Sequence, residues 1–305
     1  MNRTYSKAKK IGGWLLFILS LSFFGLQMGY LLFHGTYQLE YIDNRLFYVM
    51  NILIVGFLFS SILLLFQIDK KWKWGSFTIL VIFIFVNIML ITTEDQKVKS
   101  VTSISPNFQH SFAIKENPMT NEAYYYRSYY GVFGRPKEKL PYQTTGLFNV
   151  KWITNDIATV TYKGKDKNLH QYNATFGDRS GGISYYYVGT EMHGVWEGDG
   201  VEVVSNTDGI TILEDGKSEV FDWNHVVQFG TLAVVLTRSH QQDIPSDWTN
   251  ERHTLNKETE AVWTIGLNED FQVKSDGQQQ GNRGSILLYK ATMEDSTPIK
   301  LKPAQ

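Results

Sequence analysis

Cysteine is absent from all 305 residues. That excludes a disulfide framework and a thiolate zinc site. An exported animal domain of this size more often carries disulfides, so the absence fits a bacterial source, as does the heavy use of Phe, Tyr, Ile, Asn and Lys. Basic charge is scarce beyond residue 93, where 21 Lys and Arg stand against 27 Asp and Glu. A nucleic-acid partner needs a basic face, and this balance argues against one. No G-x-S-x-G, H-E-x-x-H or P-loop motif occurs, so no standard catalytic signature is present.

Charge of either sign is missing from three long stretches near the N-terminus. They run over Ile11–Phe33, Leu46–Ile68 and Trp74–Thr92, each close to the roughly 20 residues that carry a helix across a bilayer. Buried helices of a soluble protein would need a polar face, and these have none. Residues 1–93 therefore read as a three-helix transmembrane anchor and residues 94–305 as a second domain. The apolar core of the first stretch is longer than a signal peptide's, and no small-x-small cleavage site follows it, so it reads as a retained anchor.

Orientation follows from the basic residues. Arg3, Lys7, Lys9 and Lys10 precede the first stretch, and Lys70, Lys71 and Lys73 lie between the second and third. Both segments are expected in the cytoplasm, which puts everything after Glu94 outside the cell membrane. Trp14, Tyr30, Tyr48, Trp72 and Trp74 lie near the ends of the stretches, where amphipathic rings favour the interface.

Within the stretches, Gln27, Asn51 and Asn87 are the strongest hydrogen-bonding side chains. At a rise of about 1.5 Å per residue they fall at a similar depth, so an amide layer joining the three helices is one expectation and separate local bonding the other. Gly25 and Gly29 form a G-x-x-x-G pair suited to close helix packing. No ionisable residue lies well inside a stretch, which argues against transport by these helices alone.

After Thr92 the period of two takes over. Alternation and turn chemistry predict strands at 110–115, 123–133, 157–162, 169–176, 183–188, 201–204, 210–213, 218–223, 226–237, 261–266 and 285–291. The run 226–237 is the most apolar and reads as one central strand. Residues 240–260 read as a polar loop or a short helix. This pattern points to an all-β domain, either a β-sandwich or a propeller-like assembly.

The segment Ser105-Pro106-Asn107-Phe108-Gln109-His110 resembles the Ser-Pro-Asp-Gly turn that opens strands in bacterial propeller blades and in exported domains of unknown function. Phe108 stands where the Gly would be, and there is one copy. The whole layout resembles uncharacterised membrane-anchored proteins of low-GC Gram-positive bacteria with an exported β-rich domain. That likeness is one of arrangement and implies no functional residues.

Three groups of residues are candidates for chemistry. Glu191 and His193 would share one face of a strand about 7 Å apart, at twice the strand rise. With Glu197, Asp199, Asp222 and His225 they would supply ligands for zinc or a general acid and base; solvated charges at strand ends are the plainer reading. Gly177–Gly182 is a tight loop whose backbone amides would suit an anion, or simply a turn. Twelve of 17 Tyr and five of eight Trp follow Glu94. The runs at 124–126, 129–130 and 185–187 place rings on both faces of their strands, and Tyr125, Tyr129 and Tyr186 are candidate ligand-binding residues. Strand propensity alone also accounts for such Tyr runs.

These features favour a non-enzymatic module of the cell envelope that binds, senses or assists, with the lipid bilayer, an envelope glycan or a membrane protein as partners and no cofactor. The alternatives are an envelope hydrolase or metal-dependent enzyme using Glu191, His193 and His225, and an accessory subunit of a transporter or immunity complex.

Overall fold

A computed structural model describes residues 7–129, 131–179, 185–239, 259–273 and 283–304. The expected loop at 240–260 lies almost wholly outside the described residues. The Gly181-Gly182 turn, and with it the end of the Gly177–Gly182 loop, also lies outside them. The chain forms two compact units. The first takes residues 1–102, 112–119 and 124–139, and the second takes residues 103–111, 120–123 and 140–305. The boundary expected at residue 93 falls inside the first unit, because the chain passes from helix into a sheet that belongs with the helices.

The first unit opens with α1 (Lys7–Tyr37), β1 (Glu40–Tyr41), α2 (Arg45–Leu65) and α3 (Lys70–Lys97). All three helices are long and apolar enough to cross a membrane. Small residues bring α1 and α2 together. A Cβ on Gly13 would lie 2.7 Å from the Leu65 side chain. Ser61 Oγ donates to Gly13 O at 2.8 Å, and Ser20 Oγ donates to Ile54 O at 2.8 Å. Gln27 is buried and donates to Asn51 Oδ1 at 3.2 Å, while its own carbonyl accepts from Tyr41 OH at 2.7 Å. Asn87 instead donates to Phe83 O of its own helix at 2.9 Å. Two of the three amides thus meet and the third bonds locally. A Cβ on Gly25 or Gly29 would have nothing within 4 Å among the described residues outside its own helix, so neither is a point of close helix packing as Gly13 is.

One residue after α3 the chain enters β2 (Lys99–Ile104), followed by β3 (Ser111–Asn117), β4 (Glu122–Tyr129) and β5 (Phe133–Lys139). The sheet order is β1-β5-β4-β3-β2. The loop between α1 and α2 therefore contributes one edge of the sheet, and the exit from α3 contributes the other. Lys115 on β3 fastens that loop. Its ammonium is 4% exposed and donates to Glu40 Oε2 (2.8 Å), Tyr41 O (2.8 Å) and Asn44 Oδ1 (2.6 Å). The expected single aromatic strand at 123–133 is a hairpin, because the chain reverses at Gly131 with φ of 72°.

The second unit holds β6 (Thr144–Trp152), β7 (Ile157–Gly164), β8 (Leu169–Thr175), α4 (Val188–Glu191), β9 (Gly194–Gly198), β10 (Val201–Ser205), β11 (Gly209–Glu214) and β12 (Lys217–Asp222). A 3-10 turn over Trp223–His225 leads to β13 (Val226–Phe229), β14 (Ala233–Ser239), β15 (Thr259–Leu267), β16 (Ile286–Lys290) and β17 (Ile299–Pro303). Nine strands form one antiparallel sheet in the order β12-β11-β10-β9-β17-β16-β15-β14-β13. It consists of two meanders joined where β17 pairs with β9. The sheet curls until its ends approach, and Arg238 on β14 reaches Glu219 on β12 at 2.5 Å. The result is nearly a closed barrel.

Alternate residues fill its interior, among them Val203, Ile212, Phe221, Leu236, Ile265 and Leu288, as the period of two requires. A separate sheet, β6-β7-β8, packs on β13–β15. Ile153, Ile157, Leu232, Ala233, Leu287 and Tyr289 form a second small core. The expected central strand at 226–237 is the hairpin β13–β14, because Gly230 turns the chain with φ of 56°. Of the expected strand at 183–188, residues 183 and 184 lie outside the described residues, 185–187 take no regular structure, and from Val188 the chain makes a single helical turn. Val188 and Met192, four apart, are both fully buried, so that turn serves the core in a way a strand would not.

Candidate functional site

Four segments of the second unit converge on a cleft of about 500 Å³. The first is α4 and its exit, which bring Gly189, Thr190 and His193. The second is the β10–β11 turn, built by Asn206, whose Oδ1 accepts from Asp208 N at 2.8 Å and Gly209 N at 3.2 Å; this turn brings Thr207. The third is the 3-10 turn after β12. Asp222 caps it by accepting from Asn224 N at 2.8 Å, and it brings Trp223. The fourth is β13 with Gln228. Tyr187, Val226 and Val234 complete the lining.

Trp223 is held in place on three sides. Its Nε1 donates to Thr207 O at 3.0 Å. An edge of its six-membered ring abuts Gly189, where any Cβ would be 2.3 Å from the ring. The His193 ring is 6.4 Å away, tilted by 36°. Gly189 is itself fixed, since its carbonyl accepts from Ser205 Oγ at 3.0 Å. Gln228 organises the opposite wall. Its amide accepts from Val188 N and donates to Tyr185 OH, Tyr186 O and Gly230 O, all at 2.8–3.0 Å. Tyr187 projects from that wall at 66% exposure, edge-on to Tyr185 with centroids 5.5 Å apart. The lining contains no Asp, Glu, Lys or Arg among the described residues.

A second cleft of about 570 Å³ lies where the barrel nearly closes, between Glu219–Asp222 and Thr237–Ser239. His225 Nδ1 is 3.1 Å from Asp222 Oδ1. Slight burial works to raise the Asp222 pKa, but hydrogen bonds from Asn224 N–H and His225 outweigh it and hold it below the usual 3.8. A third cavity, of about 30 Å³, borders Tyr142 and His170. The His170 ring is 3.7 Å from the Tyr142 ring and nearly parallel to it, and its Nε2 pairs with Asp166 at 2.8 Å.

The expected Glu191–His193 strand face does not exist, because Glu191 ends α4 and His193 lies in its exit. His193 and His225 line different clefts. Among the described residues no group of three or more His, Asp or Glu is placed to hold a metal ion, and the His193 ring pairs with no carboxylate. The aromatic candidates separate by burial. Tyr125 is 2% exposed beside Phe112, and Tyr186 is 6% exposed with its OH accepting from Arg179 N. Both are core groups out of a ligand's reach. Tyr129 is 43% exposed and belongs to the other unit. Tyr185 and Tyr187, either side of the chosen Tyr186, are the exposed rings.

Sequence reasoning missed Trp223 and Gln228. The signal for Trp223 was Asp222-Trp223-Asn224, where an Asp two residues before an Asn marks a cap that ends a strand. Gln228 carried no local signal, because its role depends on residues about 40 positions earlier. Geometrically, the cleft combines one fixed indole, an exposed tyrosine and a few polar groups. No protein-family model, curated protein or solved structure matches the chain, so the functional reading rests on this geometry.

Proposed function

We propose that the chain is a membrane-anchored binding module of the bacterial envelope. In this reading α1–α3 cross the membrane, the N-terminus and the α2–α3 connection lie in the cytoplasm, and the second unit lies outside. The observation that carries it is the uncharged cleft lined by Trp223 and Tyr187, in which the indole is held by its own N–H bond to Thr207 O. Preorganised aromatic surface costs little ordering on binding, and a largely apolar pocket of this size with a few polar groups is what small ligands occupy.

The test uses the full chain in lipid nanodiscs and a cell-envelope fraction from a Gram-positive bacterium, with retention measured by sedimentation. Retention should fall at least tenfold with Trp223→Ala and hold with Lys217→Ala, a substitution at the exposed start of β12. No retention at all, or equal retention by both variants, would overturn the proposal.

A further inference from the structure

We infer that the ligand of the Trp223 cleft is a neutral saccharide, with one pyranose ring stacked on the indole; this rests on the binding reading above. Trp223 cannot act as a donor to a ligand, because its N–H is already given to Thr207 O. It is also confined at one edge, because Gly189 lies so close that a Cβ there would overlap the six-membered ring. What remains is a confined indole that lines the cleft and is 37% exposed. The electron-rich face of an indole attracts C–H groups. A pyranose carries its C–H groups together on one side and its hydroxyls around the rim.

The rest of the lining fits that rim. The hydroxyls of Thr190 and Thr207 and the ring of His193 border the platform, and each can both donate and accept or choose either role, as sugar hydroxyls do. The Gln228 amide is not free for the ligand, since its bonds are spent on the Tyr185–Val188 wall. Tyr187, exposed in the same lining, supplies a second apolar surface with a polar tip.

Charge narrows the class. A phosphate, a carboxylate or a nucleotide would call for Arg or Lys, and an ammonium would call for a carboxylate. The lining offers neither. An acyl chain would leave the threonine hydroxyls and His193 without partners, at a cost of about 1–3 kcal/mol for each group so stranded. The volume of about 500 Å³ admits a mono- or disaccharide end.

The experiment is isothermal titration calorimetry on the full chain in nanodiscs. The probes are a panel of neutral oligosaccharides that includes chitotriose, maltotriose and cellotriose. The comparison arms are polyglycerol phosphate, adenosine and anilinonaphthalene sulfonate. At least one neutral oligosaccharide should bind saturably. Trp223→Ala should weaken it at least tenfold, Trp223→Phe should recover part of the loss, and Thr190→Val should weaken it about threefold to tenfold. If envelope retention persists while only the anionic, nucleoside or dye probe binds, or while no panel member binds, the saccharide assignment falls and the binding reading stands. If neither the envelope fraction nor any probe binds, both fall.

Discussion

Phe108 occupies a backbone conformation that normally asks for glycine. Its φ is 61° and its ring is 84% exposed. The turn is imposed by its neighbours: Ser105 Oγ donates to Asn107 Oδ1 at 2.7 Å and accepts from His110 N at 2.9 Å. A side chain in the left-handed region costs about 1–2 kcal/mol, and an exposed ring recovers little of it. Phe108→Gly should therefore stabilise the second unit, by about 0.5–1 kcal/mol once the larger entropy of an unfolded glycine is subtracted. A thermal melt followed by tryptophan fluorescence should move upward, and a downward shift would mean that the ring packs on something. His170 makes a prediction about pH. Burial lowers its pKa below 6.5, against the pull of Asp166. Between that lowered value and 6.5 the unfolded chain binds the proton more readily, so stability falls as pH drops below 6.5. Carboxylates held low, such as Asp222 and Asp270, give up their contribution only in a more acid window, as pH falls below 3.8. The melting temperature of His170→Gln should thus depend less on pH between 6.5 and 5 than that of the parent chain; equal slopes would remove His170 as the cause.

At the scale of the element, Lys115 and Glu40 form an asymmetric pair: the lysine is 4% exposed and the glutamate 41%. Removing either partner does different things. Glu40→Ala strands a buried ammonium on two neutral oxygens, Tyr41 O and Asn44 Oδ1, and should cost about 3 kcal/mol or more. Lys115→Met keeps the packed stem and leaves a carboxylate that can turn to water, so it should cost about 1 kcal/mol. Hydrogen exchange over residues 38–44 reads this directly, and protection should fall far more in Glu40→Ala; the reverse order would contradict the burial argument. The pair was not legible in the sequence, because its members lie 75 positions apart. The helices were legible, since an uncharged run is a local property. So were the β7–β8, β10–β11 and β15–β16 pairings, which follow alternation and local turn chemistry. The two merged strands have one cause. Gly131 and Gly230 each sit inside an unbroken apolar or aromatic run and reverse the chain with positive φ. Pattern alone does not separate such a glycine from one that continues the strand. The site suffered from the same limit. Tyr185–Tyr187 stood out by composition, but which ring faces outward depended on α4, a single turn set by the burial of Val188 and Met192.

For the whole molecule the sheet of the first unit constrains the membrane topology. β1 lies between α1 and α2, β2 follows α3, and both belong to one five-stranded sheet. The α1–α2 connection and the chain after α3 must therefore share a side. That is the result if α1, α2 and α3 each cross, and it rules out an arrangement in which an odd number of crossings separates the two strands. In the proposed orientation the basic residues near α1 and at the start of α3 lie in the cytoplasm. With no cysteine in the chain, single substitutions report without background. Thr36→Cys at the end of α1, Lys137→Cys on β5 and Ser218→Cys on β12 are all at exposed positions, and each should react with a membrane-impermeant maleimide added to intact cells. Lys71→Cys, exposed at the start of α3, should react only after the membrane is permeabilised. Labelling of Lys71→Cys alone in intact cells would invert the topology. Labelling of Thr36→Cys without Lys137→Cys would mean that α2 and α3 do not together return the chain to the side it left, and the shared sheet would have to form some other way.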